Sequence, residues 1–207
     1  GYAMMTALYE GDAARGHDFG AMALSLARRR ANLQARTQTG LMFAALSSHW
    51  TQPLRSSDAL YEEALGWALE IGDFVQVGVV ASVRATERLI LGDHLPHLML
   101  DIEQDMALMR ANGQQAMADC CVAGAVAPIR CLMGLSPRHD SYDDAGFSEA
   151  GFLEQYGDSK LYRAYFLQGK IRNAYLFDSG DAEPLAAQLG SVTGIMRGQA
   201  KVVESSF

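Results

Sequence analysis

Apolar residues recur at helical spacing along nearly the whole chain. Leu60, Ala64, Trp67, Ala68 and Ile71 form one stripe, and Leu98, Ile102, Met106 and Met109 form a second. A third runs through Tyr162, Tyr165, Phe166, Gly169, Asn173, Leu176 and Phe177. Between the stripes stand the pairs Gly11-Asp12, Gly72-Asp73, Gly92-Asp93, Gly157-Asp158 and Gly180-Asp181, with Asn112-Gly113 in a similar role. Glycine accepts the left-handed conformation that ends a helix, and Asp caps the helix that follows. The pattern therefore predicts helices over 2–10, 13–31, 33–50, 56–71, 74–91, 97–112, 114–134, 146–156, 158–178, 182–197 and 198–207.

Helices of this length with short connections imply antiparallel hairpins. The steps from Gly72 to Asn112 and from Gly92 to Gly180 correspond to one and two helix pairs of roughly 40 residues each. One pair cannot bury its own apolar stripe, so neighbouring pairs must stack. The expected fold is all-α, with antiparallel helix pairs stacked as a tetratricopeptide-like α-solenoid or an irregular helical array.

Composition agrees with this pattern. The 207 residues include 31 Ala and 24 Leu against 22 for Val, Ile and Thr together, a bias toward helix over strand. The only dense β-branched cluster, Val75 to Val83, lies inside a helical pattern. The length suits one domain, 1–207, with enough apolar residues for a sizeable core. The net charge of −7 argues against nucleic acid and against anionic membrane surfaces, both of which want a basic footprint. Three cysteines, two of them adjacent, do not form a secreted disulfide framework, so a cytoplasmic protein is expected. Neither a signal peptide nor a transmembrane helix is expected. The chain opens Gly1-Tyr2-Ala3-Met4, and helical spacing (Val202, Val203, Phe207) continues to its last residue, so both ends are expected to continue into a longer protein.

The chemistry-bearing motifs are sparse. No Gly-rich phosphate loop is present, and no His-Glu-x-x-His or G-x-S-x-G. His94 and His97 are three apart but flank Pro96 at a helix start, which reads as two turn histidines. Cys120 and Cys121 point about 100° apart on a helix and, with Cys131, read as small core residues. Pro128 should kink or divide its helix. Arg28, Arg29 and Arg30 complement a helix C-terminus, and Gly190, Gly194 and Gly198 repeat at a spacing that allows close packing. No catalytic, cofactor-binding or metal-binding residue is expected. The break in rhythm from 135 to 157 is the exception. It is acidic, carries no Lys or Arg between Asp140 and Ser159, and interleaves acids with phenylalanines. One reading is a long connection plus a short capped helix; the other is a docking strip for a basic partner, formed by Asp143, Asp144, Phe147, Glu149 and Phe152.

The run His49-Trp50-Thr51-Gln52-Pro53-Leu54-Arg55 resembles a stretch that recurs in a family of very large bacterial signalling proteins. So do Leu69-Glu70-Ile71-Gly72-Asp73-Phe74, Leu91-Gly92-Asp93 ahead of Asp101-Ile102-Glu103, the strip Tyr142 to Phe152, Gly169 to Asp181, and Glu204 to Phe207. In that family a Ser/Thr-kinase-like domain precedes a STAND-type AAA ATPase, then a tetratricopeptide-like helical region. A GAF domain and a sensor histidine kinase commonly follow. The family's catalytic motifs match nothing in this chain, so the resemblance implies a non-catalytic regulatory or interaction module. Such a module couples an input to neighbouring domains of the parent protein, or to a partner protein, by protein–protein contacts. The alternative is a small-molecule inducer sensor with its ligand between helix pairs, lined by aromatics near Trp50, Trp67, Tyr162, Tyr165 and Tyr175.

Overall fold

The computed structural model describes residues 10–192 together with Ala3, Thr6 and Ala7. Among these residues all regular structure is helical, as the apolar spacing predicts. The described chain divides into two compact units, one ending at Leu91 and the other beginning at Gly92.

The first unit contains α1 (Ala13–Arg30), α2 (Leu33–Leu46), α3 (Ser57–Glu70) and α4 (Phe74–Ile90). The predicted caps Asp12 and Asp73 form, and Asn32 adds a third. Asp12, Asn32 and Asp73 each accept a hydrogen bond from the backbone N–H three residues on, at 2.9, 2.9 and 3.1 Å. At Gly72 the backbone turns left-handed, with φ of 67°, which closes α3 directly against the cap of α4. The helix expected over 33–50 stops at Leu46 and continues as a 3-10 turn, Ser48–Trp50, where the Trp50 indole donates to the Leu46 carbonyl at 3.1 Å.

Helices α2, α3 and α4 enclose a core of Leu41, Ala44, Ala45, Tyr61, Ala64, Val80 and Val83. The β-branched cluster of α4 is helical because Val77, Val80 and Val83 fall on its buried face, and burial outweighs the weak propensity penalty. Contacts are closest where side chains are smallest. The Phe43 ring lies directly over Gly20, and Trp67 lies over Gly40.

The second unit contains α5 (Leu95–Ala111), α6 (Gln115–Leu132), α7 (Glu149–Tyr156), α8 (Lys160–Leu176) and α9 (Ala182–Gly190). Leu98, Ile102, Met106 and Met109 are all buried, as their spacing predicts. Pro128 does not divide α6. A π turn at Val122–Val126 widens the helix just ahead of the proline, where the ring would otherwise press on the carbonyl one turn back. By length and composition Gln115–Leu132 could cross a membrane, contrary to the expectation of no such segment. However, 61% of it is buried inside the protein, as befits a core helix.

Helices α6 and α8 pack on each other although α7 lies between them in the chain. Gly124 meets Tyr165, Gly169 meets Pro128, and the Asn173 amide donates to the Pro128 carbonyl at 3.2 Å. Partners advance in the same direction along both helices, so α6 and α8 run parallel. A parallel neighbour requires the chain to travel back the length of α6, about 27 Å. Residues 133–159 make that return. Here the helix expected over 146–156 begins only at Glu149. Gly157 remains right-handed, and Ser159, not Asp158, caps α8. The expected helices 2–10 and 182–197 are described only in part. Helix 198–207, with Gly194 and Gly198, lies outside the described residues.

Two glycines test this packing. A Cβ on Gly169 would sit 2.7 Å from the Pro128 ring and 3.1 Å from the Tyr142 hydroxyl, whereas one on exposed Gly66 in α3 would meet nothing within 4 Å. Gly169→Ala should destabilise the protein by about 1–3 kcal/mol. Gly66→Ala should stabilise it by about 0.5–1 kcal/mol. Urea denaturation of both variants measures the contrast, and equal effects would mean that the α6–α8 contact is not sterically limiting.

Candidate functional site

The acids of the 135–157 stretch are engaged in folding that stretch back on itself. Asp143 Oδ1 accepts from the Glu149 N–H at 2.7 Å, and its other oxygen bonds the Ser141 hydroxyl at 3.2 Å. Asp144 Oδ1 accepts from the N–H groups of Gly146 and Phe147 at 2.7 and 2.9 Å. Its Oδ2 lies 3.0 Å from Arg130 Nε, close enough for an ion pair although Nε is not aligned to donate. Glu149 accepts from the Tyr142 N–H and, at 2.8 Å, from Lys170 Nζ, which also donates to the Asp140 carbonyl at 2.7 Å.

The aromatics of the stretch face inward. Phe152 is 5% exposed and stacks on Phe166 with centroids 5.7 Å apart, while Phe147 packs half-buried against the same core. Of the five predicted docking residues, only Asp143 is exposed, and it too is hydrogen-bonded within the loop. The connection-plus-short-helix reading accounts for the strip's geometry.

This strap builds one wall of a cavity of about 200 Å³ in the second unit. His139, Asp140 and Tyr142 come from the strap; Lys170 and Asn173 come from α8. Asp181, Leu185 and Gln188 close it from α9 and its cap. Tyr142 and Asn173 are 1% and 2% exposed, yet Tyr142 Oη and Asn173 Oδ1 have no hydrogen-bond partner. The Asn173 orientation is fixed at its other end, because the Pro128 carbonyl can only accept and so must face Nδ2. Burial pushes the Tyr142 hydroxyl up, which keeps it a neutral donor. The adjacent Arg172 also buries an unsatisfied Nη1, and desolvation lowers its pKa. At the mouth, the hydrogen bond from Arg138 holds Asp140 down at about 2.

The first unit offers a different surface. A cleft of about 410 Å³ between α1 and α2 is lined by Gly20, Ala23, Gln38, Met42, Phe43 and Leu46, among others. Met22, Leu26 and Met42 on these two helices are 62%, 61% and 46% exposed.

Other expected residues have structural roles. Cys120, Cys121 and Cys131 are buried thiols that form no disulfide, and burial pushes the Cys120 thiol up. The His94 and His97 rings lie 4.5 Å apart at the start of α5. Among the described residues no three His, Cys, Asp or Glu gather to hold a metal ion. Arg28 pairs with Glu63 of α3, and Arg29 bonds Ser25 at 2.8 Å. The aromatics expected to line a ligand groove line neither cavity: Tyr165 is core, Trp67 covers Gly40, and Tyr175 is 60% exposed.

Sequence reasoning passed over Glu87, set among valines and alanines on α4. It is 8% exposed and accepts a 2.6 Å hydrogen bond from the buried Tyr61 hydroxyl. Burial raises its pKa to about 7; the Tyr61 bond opposes that rise, and nearby Asp58 reinforces it. Asn173 was legible as part of a stripe, but an amide inside an otherwise apolar stripe was itself the signal of a polar site.

The Glu87 carboxyl in the folded protein holds a proton that the unfolded chain releases between its ordinary value of 4.5 and about 7. Its contribution is full below pH 4.5 and is lost as pH rises to about 7. Urea denaturation of wild type should therefore lose roughly 2–3 kcal/mol relative to Glu87→Gln between about pH 5 and about pH 8. Parallel pH profiles for the two proteins would contradict a buried, proton-holding Glu87.

Compared with protein-family models, with curated proteins and with solved structures, this chain matches none.

Proposed function

We propose that this chain is a non-catalytic helical regulatory and interaction module of a cytoplasmic bacterial signal-transduction ATPase/kinase, coupling an input to neighbouring domains through protein–protein contacts. The observation that carries the reading is the apolar surface of α1 and α2. A cleft of about 410 Å³, with Met22, Leu26 and Met42 exposed on its two helices, is the kind of surface that a partner helix or domain covers. Methionine suits such a face because its flexible, polarisable side chain adapts to the incoming surface. The family resemblance supplies the context, a helical arm beside a STAND-type ATPase. Because the acids of the 143–152 strip are hydrogen-bonded within their own loop, the apolar face of the first unit is the better-supported contact in this reading.

A second reading, a sensor of a small-molecule inducer, is favoured by one specific observation. The cavity of the second unit sets charged side chains, Asp140, Lys170 and Asp181, beside the apolar Ala174, Pro184 and Leu185, a mixed lining of the kind that small-molecule sites use.

Binding of this chain to the flanking segments of its parent protein, measured by titration calorimetry, tests the first reading. Met22→Asp combined with Leu26→Asp should weaken binding by tenfold or more, since about 1.4 kcal/mol is tenfold and two buried apolar side chains exceed that. Asp143→Ala combined with Asp144→Ala should leave binding unchanged if the protein remains folded. No binding by wild type to either flank would overturn the interaction reading.

A further inference from the structure

Resting on the interaction reading, we infer that the α1–α2 face of the first unit receives an acidic amphipathic helix, with an apolar stripe for the cleft and Asp or Glu at both ends. The charge of these two helices runs against that of the chain. Residues 12–46 carry five arginines and no lysine, against Asp12 and Asp18 alone, in a protein of net charge −7. Arg28 is paired with Glu63 of α3. The partners of three others are uncharged. Arg15 lies over the Phe19 ring at 5.7 Å, Arg29 bonds the Ser25 hydroxyl at 2.8 Å, and Arg36 donates to the Ala31 carbonyl at 3.1 Å. Arg30 is exposed in the last turn of α1.

Arginines in the last turn complement the negative end of α1, but Arg15 stands in its first turn, where the helix dipole disfavours a cation. What unites Arg15, Arg29 and Arg30 is their place around the apolar surface. Arg15, Met22 and Arg29 follow one another at seven-residue spacing along one line of α1, and Arg30 stands one turn beyond Leu26. The exposed Met22 and Leu26 are thus bracketed by cations over about 21 Å, the length of about four helical turns. Asp18 is the single acid on α1, and its carboxylate lies 3.8 Å from His17 Nδ1.

The form of the partner follows from the cleft. Gly20 and Ala23 line it from α1, and Thr39, Met42, Phe43 and Leu46 from α2, so it offers no sheet edge for a strand to join. A helix laid between α1 and α2 presents side chains at i, i+3, i+4 and i+7 to such a groove. Acids just outside that stripe then reach Arg15 at one end and Arg29 and Arg30 at the other. An anionic bilayer would meet the same arginines, but it takes up a projecting apolar face rather than filling a cleft, and the net charge of −7 repels it.

The test titrates the full chain with three probes, followed by backbone amide NMR. The first is a synthetic acidic peptide of about 14 residues, with leucines at helical spacing in its middle and glutamates in its first and last turns. The second replaces every glutamate by lysine, and the third is vesicles of phosphatidylserine and phosphatidylcholine in equal parts. The acidic peptide should give saturable shifts confined to α1 and α2, with an affinity at least tenfold above that of the basic peptide. Arg15→Glu combined with Arg29→Glu and Arg30→Glu should weaken it by tenfold or more. Should that variant not fold, raising the salt from about 0.05 to about 0.5 M should weaken the wild-type affinity severalfold by screening the rim charges. Equal affinity for the two peptides, or indifference both to salt and to the three substitutions, would overturn the acidic partner. Vesicle binding through the same residues without peptide binding would overturn it in favour of a membrane surface. No saturable shift with any probe up to about 1 mM would overturn it outright.

Binding to the flanking segments of the parent protein separates this proposal from the reading on which it rests. Flank binding that is lost with Met22→Asp and Leu26→Asp, yet unmoved by the three arginine substitutions, would overturn the acidic partner alone. No binding to either flank would overturn the interaction reading, while arginine-dependent binding of the acidic peptide would still sustain an acidic-helix face.

Discussion

Rings lie on glycine at four close contacts between helices, two in each unit. Phe43 sits on Gly20, Trp67 on Gly40, Tyr165 on Gly124 and the Pro128 ring on Gly169. Each pairing lets two backbones approach while a large apolar surface is buried between them. The cost is that the glycine positions tolerate no Cβ without displacement of a neighbour. In the second unit this steric constraint also fixes topology. The Gly124–Tyr165 and Gly169–Pro128 contacts hold α6 and α8 parallel, and parallel helices oblige the chain to make a long return.

The return segment explains the acidic strip. A connection with little regular structure must satisfy its own backbone N–H groups, and carboxylates are efficient acceptors for several at once. Asp144 serves Gly146 and Phe147, Asp143 serves Glu149, and Glu149 serves Tyr142. The absence of Lys and Arg from the strip is met from outside it, by Lys170 on α8 and Arg130 on α6. A composition that resembles a docking surface in one dimension is, in three, a set of turns pinned to two helices.

Local signals were legible in the sequence wherever they act locally. The stripe Leu98 to Met109 is buried as read, and Asp12 and Asp73 cap where glycine ends the preceding element. What was not legible depends on distant partners. Pro128 predicts a kinked or divided helix on local grounds; α6 runs on through it, with a π turn in place of regular α-helix just ahead of the proline. The 3.6-residue period assigns a helix but not the helix it packs against, so the α6–α8 contact could not be read from it. Glu87 is invisible as a site because its character comes from Tyr61, 26 residues away, and from burial. The candidate cavity was hidden for the same reason. Its wall unites residues from 139 to 188, and the docking residues proposed beside it proved to be the ties that hold that wall.

The two units leave different kinds of interaction unsatisfied, and the difference bears on mechanism. In the first unit the unmet surface is apolar and exposed, with Met22, Leu26 and Met42 on α1 and α2. Covering it gains free energy in proportion to area and demands little angular precision. In the second unit the unmet groups are polar and buried. An unmade bond at a site such as Asn173 Oδ1 costs about 1–3 kcal/mol, and it is recovered only by a donor placed within hydrogen-bonding distance. A broad apolar face tolerates several geometries of one partner, whereas a buried carbonyl tolerates few geometries of a donor. The strap from 135 to 148 is tied to α6 through Arg130 and to α8 through Lys170, so the buried Tyr142 that it carries is held as part of the packed core of that unit.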